Sequence, residues 1–393
     1  MQDSGQDFSA LGPLYLAVFV AVLGFSLVAP IFPHYALGLG ASYTLLGFIV
    51  SIYGATQLLT QVPIGRLSDR IGRKRILLLG LATFTFMPLL YIYASSAYIL
   101  LLIRALGGVG ASAVWPLAMA LIVDQTRAEG RGAALGWYNA SFYSALAFGP
   151  LFGGVLYDHF GMNAPFYFWA LLGAMAVVIV QLNVKEPVKM EIDEHPERME
   201  KRLIDRGYVL TFLACCSVVL WVGVVGGFNY TMLPDYAAGL GLSATDVGLI
   251  YMAYGGGTAL SNIYFGHQAD RGRRKALIFA GCLAGASAFA LLPRAFGLPE
   301  VALLFAAMGL GLGAGNPAAA SLIADTTCAT RRGEIFGIFN TARMLGVVVG
   351  PLIAGLTADA YGVGSTVSAF AAIAVAVTLF TLLVKEPMRA CED

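Results

Sequence analysis

The chain has 393 residues and a formal net charge of +1, and 58% of its residues are hydrophobic while only 12% are charged. Soluble domains typically carry about 25% charged residues, so this composition excludes an ordinary soluble protein. The near-neutral charge also excludes a basic surface for nucleic acid, and the five cysteines show no metal-binding spacing. The chain is therefore expected to reside in a lipid bilayer.

Twelve apolar runs are long enough to cross a bilayer as helices, which takes about 20 residues each. In chain order, predicted spans 1 to 12 cover residues 12–33, 44–64, 76–94, 97–123, 133–157, 163–184, 208–234, 245–266, 276–293, 298–324, 334–358 and 364–384. The one long polar stretch, Lys185–Gly207, carries both signs of charge and predicts a solvated connector without chemistry of its own. The predicted domains are a six-helix bundle over 1–184, a cytoplasmic linker over 185–207 and a second six-helix bundle over 208–393.

The positive charges determine the predicted sidedness of the chain. All Lys and Arg residues except Arg104, Arg294 and Arg343 lie in alternate loops, in the linker or in the C-terminal tail. Basic loops stay on the cytoplasmic side, so both termini are predicted to be cytoplasmic in a multi-pass protein of the cell (inner) membrane. Residues Met1–Gly12 contain no Lys or Arg, so we expect span 1 to be retained rather than cleaved as a signal peptide.

The chain repeats itself once, with an offset of 201 residues. The offset places Gly65–Arg70 on Gly266–Arg271, and Gly149–Gly154 on Gly350–Gly355. In a chain this apolar, two parallel repeats are typical of a transporter built from two related halves. We therefore expect the working site to lie between the halves.

Three sequence motifs resemble those of a known transporter family. The string Gly-x-Leu-Ser-Asp-Arg-x-Gly-Arg-Lys at 65–74, with a degenerate copy at 266–275, resembles the signature loop of the major facilitator superfamily. Arg104-Ala-Leu-Gly-Gly-Val-Gly-Ala in span 4 resembles the arginine-bearing motif of its proton-coupled exporters. Gly-Pro-x-x-Gly-Gly at 149–154 in span 5 resembles the antiporter motif of its drug:proton antiporters, although Gly-Pro pairs also occur where helices merely pack closely or kink. The resemblance implies an all-α polytopic membrane protein with twelve transmembrane helices in two pseudo-symmetric six-helix bundles.

The signature loop contains more charge than a turn requires, which predicts a latch. Asp69 could dock at the positive end of a helix dipole, and Arg73 could pair with Asp124 at the inner end of span 4. The resemblance implies that Asp69 faces the start of span 11 and holds the outward-open state. The alternative is that these charges only anchor the loop at lipid headgroups. The predicted gating and conformational residues are Gly65, Asp69, Arg70, Gly72, Arg73, Asp124, Gly149, Pro150, Gly153, Gly154, Asp270, Arg274 and Asp325.

Polar and aromatic side chains recur on several spans and predict a substrate cavity. In span 2 they recur every four residues, at Tyr53, Gln57 and Gln61, and the repeat offset carries this stripe onto span 8. For any one of the cavity candidates, the alternative is packing or contact with lipid. The predicted cavity residues are Tyr53, Gln57, Gln61, Arg104, Trp115, Tyr138, Asn139, Phe142, Tyr143, Phe228, Asn229, Tyr254, Asn262, Asn316, Asn340 and Arg343.

Two arginines lie inside the spans, whereas no Asp or Glu lies in the middle of any span. An arginine at mid-span costs about 2.5–3.5 kcal/mol on insertion scales, so Arg104 and Arg343 are expected to face a cavity or a partner. A pump for cations would place a carboxylate there, so we expect a neutral, amphipathic or anionic substrate. The alternative is structural, with both guanidinium groups bonded to backbone carbonyls freed near glycines.

Proton coupling has one candidate pair, at the predicted outer ends of spans 1 and 7. The strings Pro-His-Tyr at 33–35 and Pro-Asp-Tyr at 234–236 are equivalent in the repeat, so His34 and Asp235 are expected near the pseudo-twofold axis. A charged His34 would close an outer gate with Asp235, and a neutral His34 would loosen it. Both could instead be ordinary polar residues of an interface.

The leading hypothesis is a secondary active transporter that exports small amphipathic, neutral or anionic molecules by alternating access in exchange for protons. The runner-up is a carrier of a small organic anion or metabolite, which could work in the uptake direction. A more remote alternative is a membrane sensor or lipid scrambler. The sequence contains no nucleophile–base set, metal-ligand cluster or nucleotide-binding loop, so we expect no enzyme, no cofactor and no metal. The expected partners are the bilayer, a small-molecule substrate and protons, and a monomer is expected because one chain holds both halves.

Overall fold

The computed structural model describes residues 8–126, 130–186, 206–270, 272–327 and 331–386. Within these residues the chain forms fourteen α-helices and no strand, which confirms the predicted all-α class. The helices are α1 (Phe8–Ser26), α2 (Phe32–Gly38), α3 (Tyr43–Ile71), α4 (Arg73–Ile92), α5 (Ala97–Asp124), α6 (Arg131–Phe160), α7 (Ala164–Asn183), α8 (Val209–Thr231), α9 (Leu233–Gly239), α10 (Ala244–Asp270), α11 (Arg274–Leu291), α12 (Leu298–Asp325), α13 (Arg332–Tyr361) and α14 (Val363–Thr381).

Twelve of these helices match the predicted spans, and α2 and α9 are short additional helices. Ten helices in the described part are long and apolar enough to cross a membrane, and Leu11–Ser26 forms a shorter apolar helix. Predicted spans 1 and 7 extend too far, because α1 and α8 end before the short helices begin. Pro33 and Pro234 lie in the first turns of α2 and α9, where a missing N–H costs no helical hydrogen bond.

The signature motif is mainly helical, which corrects its interpretation as a loop. Helix α3 continues to Ile71 and α4 begins at Arg73, so Gly72 alone connects them. Gly72 has a φ of +110°, where an L side chain would be strained. A Cβ at Gly72 would also lie 3.0 Å from a carboxylate oxygen of Glu186. We call the helix ends near Gly72 the loop end and the opposite helix ends the far end.

The chain divides into two compact units. The first unit comprises residues 1–191 and 233–252, and the second comprises residues 192–232 and 253–393. Helix α9 and the first turns of α10 thus belong to the first unit, although their sequence belongs to the second repeat. The bundle boundaries expected near residues 184 and 208 stay a prediction. Most of the predicted linker, residues 187–205, lies outside the described residues.

Small residues allow helix backbones to approach closely inside each unit. In the first unit, a Cβ at Gly153 of α6 would overlap the carbonyl oxygen of Leu27, at the end of α1. In the second unit, a Cβ at Gly346 of α13 would overlap the carbonyl oxygen of Leu220 on α8. Membrane helices use small residues in this way because van der Waals packing, rather than the hydrophobic effect, drives their association.

Candidate functional site

Four aromatic side chains predicted on spans 4 and 5 form one cluster, here called the aromatic face (Trp115, Tyr138, Phe142 and Tyr143). The Phe142 ring centroid lies 5.6 Å from that of Trp115, 6.2 Å from that of Tyr138 and 5.5 Å from that of Tyr143. The Tyr138 hydroxyl donates to the Trp115 carbonyl oxygen at 3.3 Å, which joins α6 to α5. These distances fall in the range that favours aromatic pairs. Helices α5 and α6 therefore hold a preformed surface of rings. Asn139, which follows Tyr138 in the chain, is exposed.

Rings from neighbouring helices extend the aromatic face. Phe84 on α4 lies 5.3 Å from Trp115 and 6.4 Å from Phe25 on α1, measured between ring centroids. Phe25 in turn stacks on Tyr53 of α3 at 5.1 Å. Sequence reasoning missed Phe25 and Phe84, because a single phenylalanine in an apolar span carries no signal of its own. The first unit thus contains a continuous aromatic path that joins α3 to α6.

Arg104 is enclosed by aromatic rings and is 1% exposed. Its Cζ lies 3.9 Å from the ring centroid of Phe32, 5.8 Å from that of Tyr53 and 5.9 Å from that of Tyr91. Ring faces attract a desolvated guanidinium by about 2 kcal/mol, which offsets part of the cost of a charge at mid-span. Of the two expected surroundings, a cavity or a partner, the ring faces are a partner, and a substrate could reach Arg104 only after a side chain had moved.

The polar stripe of α3 adjoins the surface that attaches α3 to α5. Thr56 Oγ1 donates to a backbone carbonyl of α5 at 3.0 Å, and Thr60 Oγ1 donates to a serine hydroxyl of α5 at 3.0 Å. Gln57 and Gln61 each follow one of these threonines and are half-buried. Successive residues of a helix are about 100° apart, so the glutamines occupy the helix face beside this contact.

In the second unit, α13 contains Arg343, the other arginine found inside a predicted span. Arg343 Nε and Nη2 donate to Asn340 Oδ1 at 3.2 and 3.1 Å. Asn340 lies one turn before Arg343 on the same helix. The amide is neutral, so it satisfies donors of the guanidinium without offsetting its charge. Tyr254, Asn262 and Asn316, the other cavity candidates of α10 and α12, are half-buried.

Two cavity candidates of α8 are buried. Phe228 is 0% exposed, and its ring centroid lies 5.2 Å from that of Phe289 on α11 and 4.9 Å from that of Phe370 on α14. Asn229 is 3% exposed. The ring contacts of Phe228 match the packing alternative, because they are made with helices of its own unit. The place of Asn229 in a cavity stays a prediction.

The predicted contact between Arg73 and Asp124 is present at the loop end. Arg73 Nη1 lies 2.6 Å from Asp124 Oδ2, and Arg73 Nη2 lies 3.1 Å from Asp69 Oδ1. In the second unit, Arg274 pairs with Asp325 at the equivalent positions. Both units thus join the start of one helix to the end of another through an arginine and an aspartate.

The structure gives no ion pair for two other predicted gating residues in the described part of the chain. Gly65 is half-buried and Arg70 is exposed. The side chain of Asp270 lies outside the described part of the chain. The approach of Asp69 to the start of span 11 stays a prediction, as does the latch itself.

Sequence reasoning missed one acidic helix cap in each unit. Glu186 accepts from the backbone N–H of Lys74 at 3.1 Å, in the first turn of α4. Glu386 accepts from a first-turn N–H of α11 at 2.7 Å in the second unit. A carboxylate is stabilised there because helix N-termini present unpaired N–H groups and a positive dipole end. The sequence signal is the string Val-Lys-Glu-Pro, which occurs at 184–187 and again at 384–387.

Asp235 lies near two side chains at the far end of the first unit. The Tyr43 hydroxyl donates to Asp235 Oδ2 at 2.6 Å, whereas His34 Nε2 lies 3.9 Å from Asp235 Oδ1. The expected proximity of His34 and Asp235 is therefore present as a long contact. Tyr43, which sequence reasoning missed, makes the short hydrogen bond.

The Gly-Pro motif of α6 provides a packing surface in the first unit. Gly149 and Gly153 lie against α1, and Gly154 lies against the first turn of α10, each so closely that a Cβ would overlap its neighbour. Pro150 is buried beside them. The close-packing alternative for this motif therefore applies, and its part in gating stays a prediction.

A sequence model of the Major Facilitator Superfamily matches residues 14–231 and 209–390. The chain belongs to this superfamily. It is therefore a multi-pass membrane transporter and not an enzyme.

Relatives within the superfamily align over most of the chain. It is 25% identical to an uncharacterized MFS-type transporter of Methanocaldococcus jannaschii, over 94% of this chain and 96% of the relative. It is 25% identical to Multidrug resistance protein 2 of Bacillus subtilis, over 87% of each chain. It is 26% identical to the quinolone resistance protein NorA of Staphylococcus aureus, over 88% of this chain and 89% of the relative.

A solved structure shares the fold of the chain. It is a bacterial homolog of the human lysosomal transporter Spinster in an inward-facing and occupied conformation, with a TM-score of 0.81 and 16% identity. The alignment covers 98% of this chain and 97% of the other. At this identity the likeness establishes the fold alone.

Proposed function

We propose that this transporter exports small amphipathic, neutral or anionic molecules by alternating access, in exchange for protons. The proposal rests on the distribution of charged residues inside the helices. Arg104 and Arg343 lie inside α5 and α13, more than one turn from either helix end, whereas every Asp and Glu in the described helices lies in a first or last turn. The similarity to proteins named for multidrug and quinolone resistance supports export rather than uptake.

The aromatic face supplies the apolar contacts that such substrates need. Tyr143 is 48% exposed, and Trp115 and Phe142 are half-buried, so part of the ring surface is open to a ligand. Stacked or edge-on rings contribute about 0.5–1.5 kcal/mol per pair beyond the burial of their area. A planar amphipathic molecule therefore fits this face better than a compact polar one does.

Arg343 supplies the preference among charge types. Its guanidinium is bonded to the neutral oxygen of Asn340 rather than to a carboxylate. An anionic group could replace that contact with a charge-assisted, bidentate pair, whereas a cationic group would be repelled. We infer that anions and neutral molecules are accepted and that strong cations are not.

His34 and Asp235 are the proposed route of proton coupling. The hydrogen bond from the Tyr43 hydroxyl holds Asp235 and does not depend on the charge of His34. A charged His34 adds an attraction across 3.9 Å, and loss of its proton removes that attraction. Protonation therefore strengthens this cluster, and deprotonation weakens it.

A carrier of small organic anions or metabolites is the second candidate function. Arg343 favours it, because its guanidinium would recognise a carboxylate or phosphate without any need for a proton gradient, whereas Arg104 could do so only after a side chain of its ring enclosure had moved. The direction of movement and the coupling ion separate the two candidates.

Purified protein in liposomes can test both candidates. Matched aromatic compounds that differ only in charge are offered against an imposed pH gradient. We expect gradient-driven transport of neutral and anionic compounds, and a selective loss of the anionic ones in Arg343→Gln. Efficient transport of ethidium, a permanent cation, with both Arg104→Gln and Arg343→Gln active would refute the proposed substrate class. Anion transport whose rate does not depend on the pH gradient would favour the second candidate.

A further inference from the structure

Asp158 makes a contact that none of the three sequence motifs accounts for. It lies in the last turn of α6, and its Oδ2 accepts from the backbone N–H of Thr245 at 2.9 Å and from Thr245 Oγ1 at 2.5 Å. Thr245 is the second residue of α10. Both residues belong to the first unit, so one carboxylate of α6 binds the N-terminus of a helix that is 87 residues further along the chain.

The backbones of the two helices also touch beside this contact. Gly154, one turn before Asp158, lies so close to the carbonyl of Ala244 that a Cβ would overlap it. Gly248, one turn into α10, would carry a Cβ only 2.6 Å from the carbonyl oxygen of Pro150. The carboxylate therefore closes the end of a contact that small residues make possible along both helices.

Asp246, the next residue of α10, makes an ordinary local cap at the same helix N-terminus. Its Oδ2 accepts from the backbone N–H and the hydroxyl of Ser243, both at 2.9 Å, and Ser243 directly precedes the helix. This carboxylate binds only its own turn. Two aspartates thus serve one helix terminus, and Asp158 alone reaches it from another helix.

We infer that Asp158 is a positioning residue of the transport cycle, whose carboxylate holds the far end of α6 on the start of α10. The inference rests on the alternating-access function proposed above, in which helices separate at one side of the membrane and then at the other. A carboxylate suits this role because the helix dipole and the N–H donor both favour its charge. Asp158 is also exposed, so water can take over its hydrogen bonds when the helices part.

Distance measurements between spin labels can test the inference without any substrate. Labels at Phe160→Cys and Ala238→Cys, both at exposed positions of the first unit, report the far end in a background without the five native cysteines. The protein is studied in liposomes without a pH gradient. We expect Asp158→Asn to raise the ratio of long to short distances about tenfold, the effect of losing a charge-assisted hydrogen bond.

Two further variants separate the contact from a general effect of charge. Thr245→Val keeps the N–H donor and loses the hydroxyl, so it should shift the ratio less than Asp158→Asn, and the double variant should add little. Asp246→Asn removes an equal charge from the same helix terminus and should leave the distances unchanged. An equal shift in Asp158→Asn and Asp246→Asn would overturn the inference.

The distance readout also distinguishes this inference from the proposed function. If Asp158→Asn slows transport but leaves the distances unchanged, the inference fails while the transport proposal stands. If the distances shift as expected but no compound of the panel is transported, the contact is supported and the proposed substrate class fails. Asp158→Glu, which keeps the charge, should recover part of the short-distance population.

Discussion

Replacing Gly153 by alanine tests the packing of α6 on α1 most directly. The added methyl group would overlap the carbonyl oxygen of Leu27, which is backbone and cannot move aside as a flexible side chain could. The two helices must therefore separate locally. The Ser26 hydroxyl donates to the Ala145 carbonyl oxygen at 3.1 Å across the same contact, and as the helices separate it would lose this interhelical hydrogen bond and keep only the Leu23 carbonyl oxygen of its own helix.

The size of the effect follows from these two changes. Overpacking a well-filled interior costs about 1–3 kcal/mol, and a lost internal hydrogen bond costs about 0.5–1.5 kcal/mol. Gly136 of the same helix is exposed and has no neighbour within 4 Å of an added Cβ, so it offers a matched control. Alanine there should stabilise the helix by about 0.5–1 kcal/mol. The two variants should therefore differ by about 2–5.5 kcal/mol in free energy of unfolding.

Thermal unfolding of both variants in the same detergent would measure this difference. We expect Gly153→Ala to melt below the parent protein, and Gly136→Ala to melt at or above it. Equal melting temperatures for the two variants would refute the close approach of α6 and α1. A third variant, Gly153→Ser, should be at least as unstable, because its side chain is larger than that of alanine.

Four further predictions concern the loop end, the far end and the second unit. Asp69→Asn should depress transport with little loss of membrane expression, and unaltered transport would remove the latch. His34→Gln should flatten the dependence of transport on pH between about 5 and 8, while Tyr43→Phe should keep that dependence. An unchanged pH profile in His34→Gln would refute the proposed gate of His34 and Asp235. Arg343→Lys, which keeps the charge but loses the planar fork, should recover only part of the anion transport lost in Arg343→Gln, and full recovery would argue against bidentate recognition. Glu186→Gln should lower stability by at most about 1 kcal/mol in chemical unfolding, because this cap is exposed, and a larger loss would show a wider role.

Local chemistry was enough to predict the spans and one ionic contact. Apolar runs of the required length mark transmembrane helices because the bilayer cannot hydrogen-bond to an exposed backbone. Arg73 and Asp124 were predictable as partners because each is a charge at a helix end on the same side of the membrane. The repeated Val-Lys-Glu-Pro string was equally visible in the sequence, and its acidic caps could have been predicted from it.

Other features depend on neighbours that are distant in sequence. The enclosure of Arg104 requires rings from α1, α2, α3 and α4, and no spacing within α5 indicates them. Phe228 and Trp115 are both aromatic residues of apolar spans, yet Phe228 is fully buried and Trp115 belongs to the aromatic face. Sequence patterns alone therefore could not predict whether such an aromatic residue packs in the interior or lines a cavity.

The sequence by itself determined the membrane location, the helical class and the doubled plan, because composition and periodicity act through the solvent and the backbone of each segment. Only the tertiary structure decided that Gly72 alone links two helices, that Tyr43 rather than His34 makes the short bond to Asp235, and that Asp158 binds the start of α10. These outcomes depend on which helix faces meet. Contacts of a few ångströms between segments far apart in the chain are set by packing, and no single segment contains that information.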